Sequence, residues 1–244
     1  MTTYLSKKRL IVSNTVVEYY EYDKPYAYNQ SPFARQSAPV SAEAQKAEAK
    51  RQDNLARTRN TIRRLVECNV SVHGYEPVFL TFTYAKNERD LKRAHADFSS
   101  FIRRFNRAYR IRAKYLAVIE FQGRGAIHFH CIFFNLSPTM EYEERRTRSI
   151  AKIWSHGFVD IERIRSAKRV GAYVCKYLDK SASDARLLGQ NSFLSSKGLL
   201  KPQYYRSENK IDSIREKHNI KQVLYSRDYQ TENFNGVKYL QYVI

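Results

Sequence analysis

The chain has 244 residues, of which 43% are hydrophobic, so it is long and apolar enough to bury a substantial core. Its 43 Lys and Arg residues exceed its 24 Asp and Glu residues by 19, which favours a nucleic acid as the polyanionic partner. No apolar run approaches the roughly 18 residues that cross a bilayer, and the N-terminus lacks the apolar core of a signal peptide, so we expect a cytoplasmic protein without a membrane partner. Three scattered cysteines exclude a disulfide framework and a thiolate zinc site.

The N-terminal third divides into a polar arm and a basic helix. Residues 1–40 are rich in tyrosine and proline and show no sustained period, which predicts an arm. Residues 41–69 are dominated by helix-forming residues and predict a basic helical lead-in that enters the fold through its later apolar positions. Four arginines crowd there and either contact phosphates or form a solvated charged face: Arg57, Arg59, Arg63 and Arg64.

Residues 70–185 predict one domain with alternating strands and helices. A strand at 78–84 precedes a helix that Asn87 is expected to cap. The apolar stripe of this helix runs from Leu91 to Tyr109, and three arginines lie off the stripe: Arg103, Arg104 and Arg107. Strands follow at 115–121 and 126–134, then a helix up to Trp154 and a strand at 158–164. This order predicts an α+β fold with a mainly antiparallel sheet, followed by a C-terminal accessory segment at 186–244 that closes with a strand at 237–244.

Two histidines lie two residues apart in an apolar run. On a strand, His128 and His130 leave the same face. A three-residue hairpin loop at 123–125 would set Glu120 opposite His128, so that the carboxylate joins the two rings. One carboxylate and two imidazoles suit Mg²⁺ or Mn²⁺, whose role would be Lewis-acid polarisation of a phosphate; a hydrogen-bonded structural cluster is the alternative.

A second cluster follows at residues 173–180. On a helix Tyr173 and Tyr177 stack one turn apart, and so do Lys176 and Lys180. A phenol is a weak nucleophile unless a cation stabilises the phenolate or a metal activates the electrophile. Together with the histidines, the tyrosines therefore suggest attack on a phosphodiester that leaves a phosphotyrosine link.

These motifs, in this order, resemble rolling-circle replication initiators of the HUH endonuclease superfamily from bacterial plasmids and single-stranded DNA phages. Residues 79–84 resemble the first motif of that family, His128-Phe129-His130 its metal motif, and residues 173–180 its nucleophile motif in the two-tyrosine form. Glu120 lies where related viral initiators have their third metal ligand. Residues 120–128 and 154–158 are similar to plasmid and phage members, and the resemblance spans about 55–202.

The resemblance implies an RRM/ferredoxin-like domain that binds single-stranded or supercoiled origin DNA and nicks one strand. The 5′ phosphate would remain on Tyr173 or Tyr177, the 3′ hydroxyl would prime synthesis, and Lys176 and Lys180 would stabilise the phenolate or steer the phosphate. Arg124 joins the arginines of the two helices as an expected DNA contact. The chain has no Gly-x-x-x-x-Gly-Lys-[Ser/Thr] loop, so we expect a host helicase and DNA polymerase as partners in a bacterial cytoplasm.

Two alternatives remain open. A conjugative relaxase or a single-tyrosine transposase also combines a histidine pair with a tyrosine, although relaxases usually place the tyrosine before the histidines. A non-catalytic basic protein could instead bind DNA or RNA through its charge alone.

Overall fold

The computed structural model describes residues 3–14, 16–28, 44–137, 150–163, 174–176, 192–218, 220, 223–231 and 234–243. The chain forms two compact units, one from residues 51–200 and one from residues 1–50 with 201–244. Each unit has a five-stranded antiparallel sheet, which confirms the predicted α+β class. Among the described helices, none has the length and apolar content needed to cross a membrane.

The elements in chain order are β1 (Tyr4–Ser13), β2 (Val16–Tyr28), α1 (Ala44–Asn69), β3 (Val78–Tyr84), α2 (Leu91–Tyr109), β4 (Tyr115–Phe121), β5 (Ile127–Phe133), β6 (Gly157–Arg163), β7 (Phe193–Ser195), β8 (Gln203–Tyr205), α3 (Glu208–Lys217), β9 (Val223–Thr231) and β10 (Asn235–Val243). Residues 150–154 and 174–176 are also helical.

The sheet of unit 51–200 has the strand order β6-β3-β5-β4-β7 and carries apolar side chains on both faces. One face packs against α2, whose buried aromatic stripe contributes Phe98, Phe101 and Phe105. The other face packs against Ile62 and Val66 of α1. Because both faces are covered, every residue of the central strand β5 is buried, which explains its nearly continuous apolar run.

The start of α2 differs from the prediction. Asp90, and not Asn87, is the N-cap, and its Oδ1 accepts hydrogen bonds from the backbone N–H groups of Lys92 and Arg93 at 2.8 and 3.3 Å. The Asn87 side chain instead donates to the Arg124 carbonyl, 3.1 Å away. Asn87 therefore fixes a loop to its neighbour, while an acidic cap complements the helix dipole.

The sheet of the other unit has the order β8-β1-β2-β10-β9, so the two ends of the chain form one sheet. The predicted arm at residues 1–40 is therefore wrong for residues 4–28, which form β1 and β2. Asn14 adopts a left-handed φ of 51° at the turn between these strands. Tyr19 packs on the α3 side of β2 and Tyr20 on the other side, so aromatic rings on both faces concealed the strand alternation. β10 confirms the predicted closing strand.

Candidate metal and nucleic-acid site

The register of the central strands brings the predicted metal ligands together. Glu120 on β4 pairs with His128 on β5, and the next pair on the same face is Val118 with His130. On the other side of β5, Thr83 pairs with His128 and Thr81 with His130. Side chains of directly opposed residues share a face, so one polar patch contains Glu120, both histidines and both threonines. The register expected from the three-residue loop is confirmed.

His130 is held from two sides. Its Nε2 contacts the Glu120 carboxylate, and its Nδ1 lies 3.2 Å from the Thr81 hydroxyl oxygen. The ring also stacks on Phe79, with the ring centroids 5.9 Å apart. With only 5% of its surface exposed, His130 has a fixed orientation in which Nε2 is directed toward the carboxylate.

His128 is buried without such support. Its Nε2 is inaccessible to solvent and has no hydrogen-bond partner among the described residues. Burial lowers the pKa of its imidazole below the usual value, the Glu120 carboxylate opposes that shift, and the Arg124 guanidinium adds to it. The ring is therefore neutral at pH 7, which is the form that ligates metals. A buried ring nitrogen without a partner is the kind of atom that a bound cation would satisfy.

The residue types of the patch, a carboxylate and two imidazoles, are ones that ligate divalent cations. One carboxylate and two imidazoles converge on a face whose neighbouring positions are apolar, and the ring centroids of His128 and His130 are 6.1 Å apart. Within the described ranges, no group of three or more His, Cys, Asp or Glu side chains is placed to hold a metal ion, and the Glu120 carboxylate contacts His130 directly. Binding an ion between them would therefore require Glu120 and His130 to separate.

The nucleophile segment is described in part. Val174 and Cys175 are buried in the apolar cluster on the face that carries the histidines, and the Cys175 thiol donates to the Arg59 carbonyl at 3.5 Å. Lys176 is exposed. The other predicted nucleophile-motif residues lie outside the described residues: Tyr173, Tyr177 and Lys180. Of the three described residues of the motif, Val174 and Cys175 pack on the histidine face.

The arginines predicted to contact DNA lie on opposite sides of the sheet. Those of α1 belong to the helix that packs on the histidine face; Arg57 and Arg59 are exposed, while Arg63 and Arg64 are half-buried. Arg63 also lies 3.7 Å from Glu67 in an ion pair. A phosphate approaching the histidines would therefore meet the helix that carries this basic group.

The arginines of α2 are not brought together with the histidines, because α2 packs on the other face of the sheet. Arg103 and Arg107 are exposed there. Arg104 donates through Nε to the carbonyl of Ile153 at 3.1 Å and through a terminal nitrogen to that of Trp154 at 3.3 Å. Its guanidinium thus satisfies the carbonyl end of the helical segment at 150–154.

Arg124 belongs to a loop that the structure holds firmly beside His128. Its Nε donates to the Gln122 side chain and a terminal nitrogen to the Tyr84 carbonyl, both at 2.9 Å. Its own carbonyl accepts from Arg89 at 2.7 Å. Arg124 remains exposed despite these bonds, and its positive charge acts on His128 in the patch.

Sequence reasoning missed Thr81 and the packing of the segment 154–158. The alternation of threonines with buried residues in β3 could have indicated that Thr81 and Thr83 share a face. Trp154 donates through its indole N–H to the Thr83 carbonyl at 3.2 Å, and the His156 carbonyl accepts from the Ala85 N–H at 2.9 Å. These bonds fasten the start of β6 to the end of β3 that carries the polar patch.

Comparison with known proteins gives one match. No curated protein and no solved structure matches the chain. The family model described as Replication-associated protein ORF2 matches residues 77–182. This stretch contains β3 to β6, and with them Glu120, His128 and His130. Over these residues, which are less than half of the chain, the protein is similar to the replication-associated proteins of that family.

Proposed function

We propose that this protein is a replication initiator that nicks one strand of origin DNA and later rejoins the ends. The observation that carries the proposal is the polar patch of Glu120, His128 and His130, with the buried, unpartnered Nε2 of His128, inside the stretch similar to replication-associated proteins. The net charge of +19 supports a DNA substrate. Host helicase and DNA polymerase are proposed as partners in the bacterial cytoplasm.

Each residue of the patch has a separate role in holding a cation or orienting the phosphate. Thr81 lies against Nδ1 of His130, so that Nε2 is directed at the carboxylate of Glu120, and a bound ion would take the place of this direct contact. His128 contributes a neutral nitrogen that nothing in the described residues satisfies. Mg²⁺ or Mn²⁺ held by these three side chains would polarise the scissile phosphate as a Lewis acid. Arg124 adds positive charge near His128, where a phosphate would lie.

The covalent step is a transesterification. The phenolic oxygen of Tyr173 or Tyr177 forms a bond to phosphorus as the bond between phosphorus and the 3′ oxygen breaks. The phenol loses its proton to a base, and the departing 3′ oxygen takes one up, so a 3′ hydroxyl and a 5′-phosphotyrosine result. The number of phosphoester bonds is unchanged, which allows the reverse attack to rejoin the ends. Lys176 and Lys180 would favour the phenolate form.

Covalent capture tests the proposal. The full chain is incubated with single-stranded oligonucleotides tiled across its replicon, with Mn²⁺, Mg²⁺ or EDTA, and denatured before electrophoresis. We expect an adduct that forms with either ion and not with EDTA. Tyr173→Phe and Tyr177→Phe, alone and combined, identify the nucleophile, and Tyr204→Phe is a matched control because Tyr204 is exposed and lies in the other unit.

The outcomes separate the proposal from its alternatives. Loss of the adduct in the double variant, with full activity in Tyr204→Phe, supports tyrosine attack. An adduct that depends on a single tyrosine favours the relaxase or transposase type. Binding to the oligonucleotides without any adduct under every condition would leave only a non-catalytic nucleic-acid-binding protein.

A further inference from the structure

Phe158 is an exposed aromatic side chain on the face that carries the polar patch. Of its surface, 70% is accessible to solvent, although two aromatic rings nearby, Tyr84 and Trp154, are buried. It pairs with Thr83 on β3, and Thr83 pairs with His128 on β5. Phe158, Thr83, His128 and Glu120 therefore form one row across four strands of the same face.

The backbone that leads into Phe158 is held closely against β3. Gly157 packs so closely that a Cβ there would lie 2.5 Å from the Ala85 nitrogen. The bonds from Trp154 to Thr83 and from Ala85 to His156 fix the chain immediately before it. The backbone therefore presents the exposed Phe158 ring at a fixed place beside the polar patch, where it offers an apolar surface to a ligand.

The charges along β6 favour a base over a phosphate as that ligand. Asp160 and Glu162 follow Phe158 on the same face of the strand, and both are exposed. Their carboxylates repel a DNA backbone, whereas the guanidinium of Arg124, which donates to the Tyr84 carbonyl on β3, adds positive charge near His128. Strands are about 4.8 Å apart, so Phe158 and His128 are separated by about 10 Å, which a neighbouring nucleotide can span.

We infer that Phe158 is a positioning residue that stacks one unpaired base next to the phosphate bound at Glu120, His128 and His130. This inference rests on the proposed function. Single-stranded DNA is the occupant because its bases are free to stack on an aromatic ring while its phosphates follow the positive charge. The stack would place a chosen phosphate at the patch, so Phe158 determines which bond is cut.

The proposed stacking of a base on Phe158 is tested by combining a substitution in the protein with an abasic site in the DNA. Wild type and Phe158→Ala are each titrated with oligonucleotides that carry an abasic site at successive positions around the cleaved bond. We expect Phe158→Ala to weaken binding about 5- to 150-fold, the range that base stacking provides. One abasic position should weaken binding by wild type and have no further effect on Phe158→Ala. Phe158→Trp should retain binding and show fluorescence quenching when DNA is added.

The controls keep the inference distinct from the proposed function. Tyr75→Ala removes another exposed aromatic, located before the opposite end of β3, and should bind as wild type. Unchanged binding by Phe158→Ala, or abasic sites that weaken both proteins equally at every position, would overturn the inference even when adducts form. Absence of an adduct from wild type, with the coupling to Phe158 intact, would overturn the nicking proposal and leave the stack standing.

Discussion

Replacing His128 by leucine is expected to stabilise the metal-free protein while abolishing its response to metal. The buried Nε2 has no hydrogen-bond partner in the described part of the chain, and an unsatisfied buried polar atom costs about 1–3 kcal/mol. Leucine removes that cost and buries a comparable apolar side chain. We therefore expect the free energy of unfolding in EDTA to rise by about 1 kcal/mol in His128→Leu, which is about 2–4 °C in the melting temperature.

His130→Leu is the matched comparison and should change stability in the opposite direction. His130 contacts Glu120 and bonds to Thr81, and the side chains of His130 and Glu120 are only 7% and 15% exposed. Its loss removes a partner from a largely buried carboxylate, which costs about 1.5–3 kcal/mol. Urea unfolding in EDTA at neutral pH measures both variants against wild type.

Titration with Mn²⁺ completes the comparison. At about 100 times the dissociation constant, a bound ion stabilises the native state by about 2.7 kcal/mol, or about 5–10 °C in melting temperature. We expect this shift in wild type and in His218→Ala, whose histidine is exposed after α3, and in neither leucine variant. If His128→Leu is less stable than wild type in EDTA, the argument that Nε2 of His128 is unsatisfied is refuted. If Mn²⁺ raises the melting temperature of His128→Leu as much as that of wild type, His128 is not a metal ligand.

Three further predictions concern the scaffold and its pH dependence. Gly157→Ala should lower the free energy of unfolding, measured in urea, by about 1–3 kcal/mol, because the added Cβ would meet the backbone at Ala85. Gly123→Ala is the control and should match wild type, since a Cβ there would have nothing within 4 Å. Equal urea midpoints for the two variants would contradict the packing argument. Asn69→Ala should lower the free energy of unfolding by about 2–4 kcal/mol, since the buried amide donates to two backbone carbonyls and accepts from a backbone N–H. A decrease below about 1 kcal/mol would show that water replaces the hydrogen bonds of the amide. Burial lowers the pKa of His95 in the folded state, so this histidine contributes stability above pH ~6.5 that is lost as the pH falls through the lowered value. His95→Gln should therefore show a smaller decline of the urea midpoint with falling pH than wild type. Parallel curves of midpoint against pH for the two proteins would contradict this prediction.

The local features of unit 51–200 could be predicted from sequence because they depend on period and loop length. The apolar stripe of α2 repeats at helical spacing, and the glycine loop at 123–125 fixed the pairing of Glu120 with His128. What local pattern could not supply was the side of the sheet on which each helix packs. Arg104 therefore looked equivalent to the arginines of α1, although α2 covers the opposite face.

Apart from its closing strand, the sheet of the other unit was not predicted, because it depends on pairing between distant parts of the chain. β2 pairs with β10, and Tyr20 lies opposite Tyr239, more than two hundred residues away in sequence. Such a partner gives no signal in any local window. The turn at Asn14 was the available clue, since asparagine tolerates the left-handed conformation found there, but it was not flanked by a clean alternation of apolar and polar residues.

The face of the sheet that carries the histidines has an apolar half and a polar half. The packing of the apolar half keeps the polar half rigid. Phe79 and Ile132 form one row under α1 and the segment 174–176. The next rows along the same strands carry His130 and His128. Because β5 is buried along its whole length and paired on both sides, its backbone cannot relax to give His128 a partner. The fold therefore holds an unsatisfied nitrogen on the same face as a carboxylate, which folding alone does not favour and which the proposed cation would relieve.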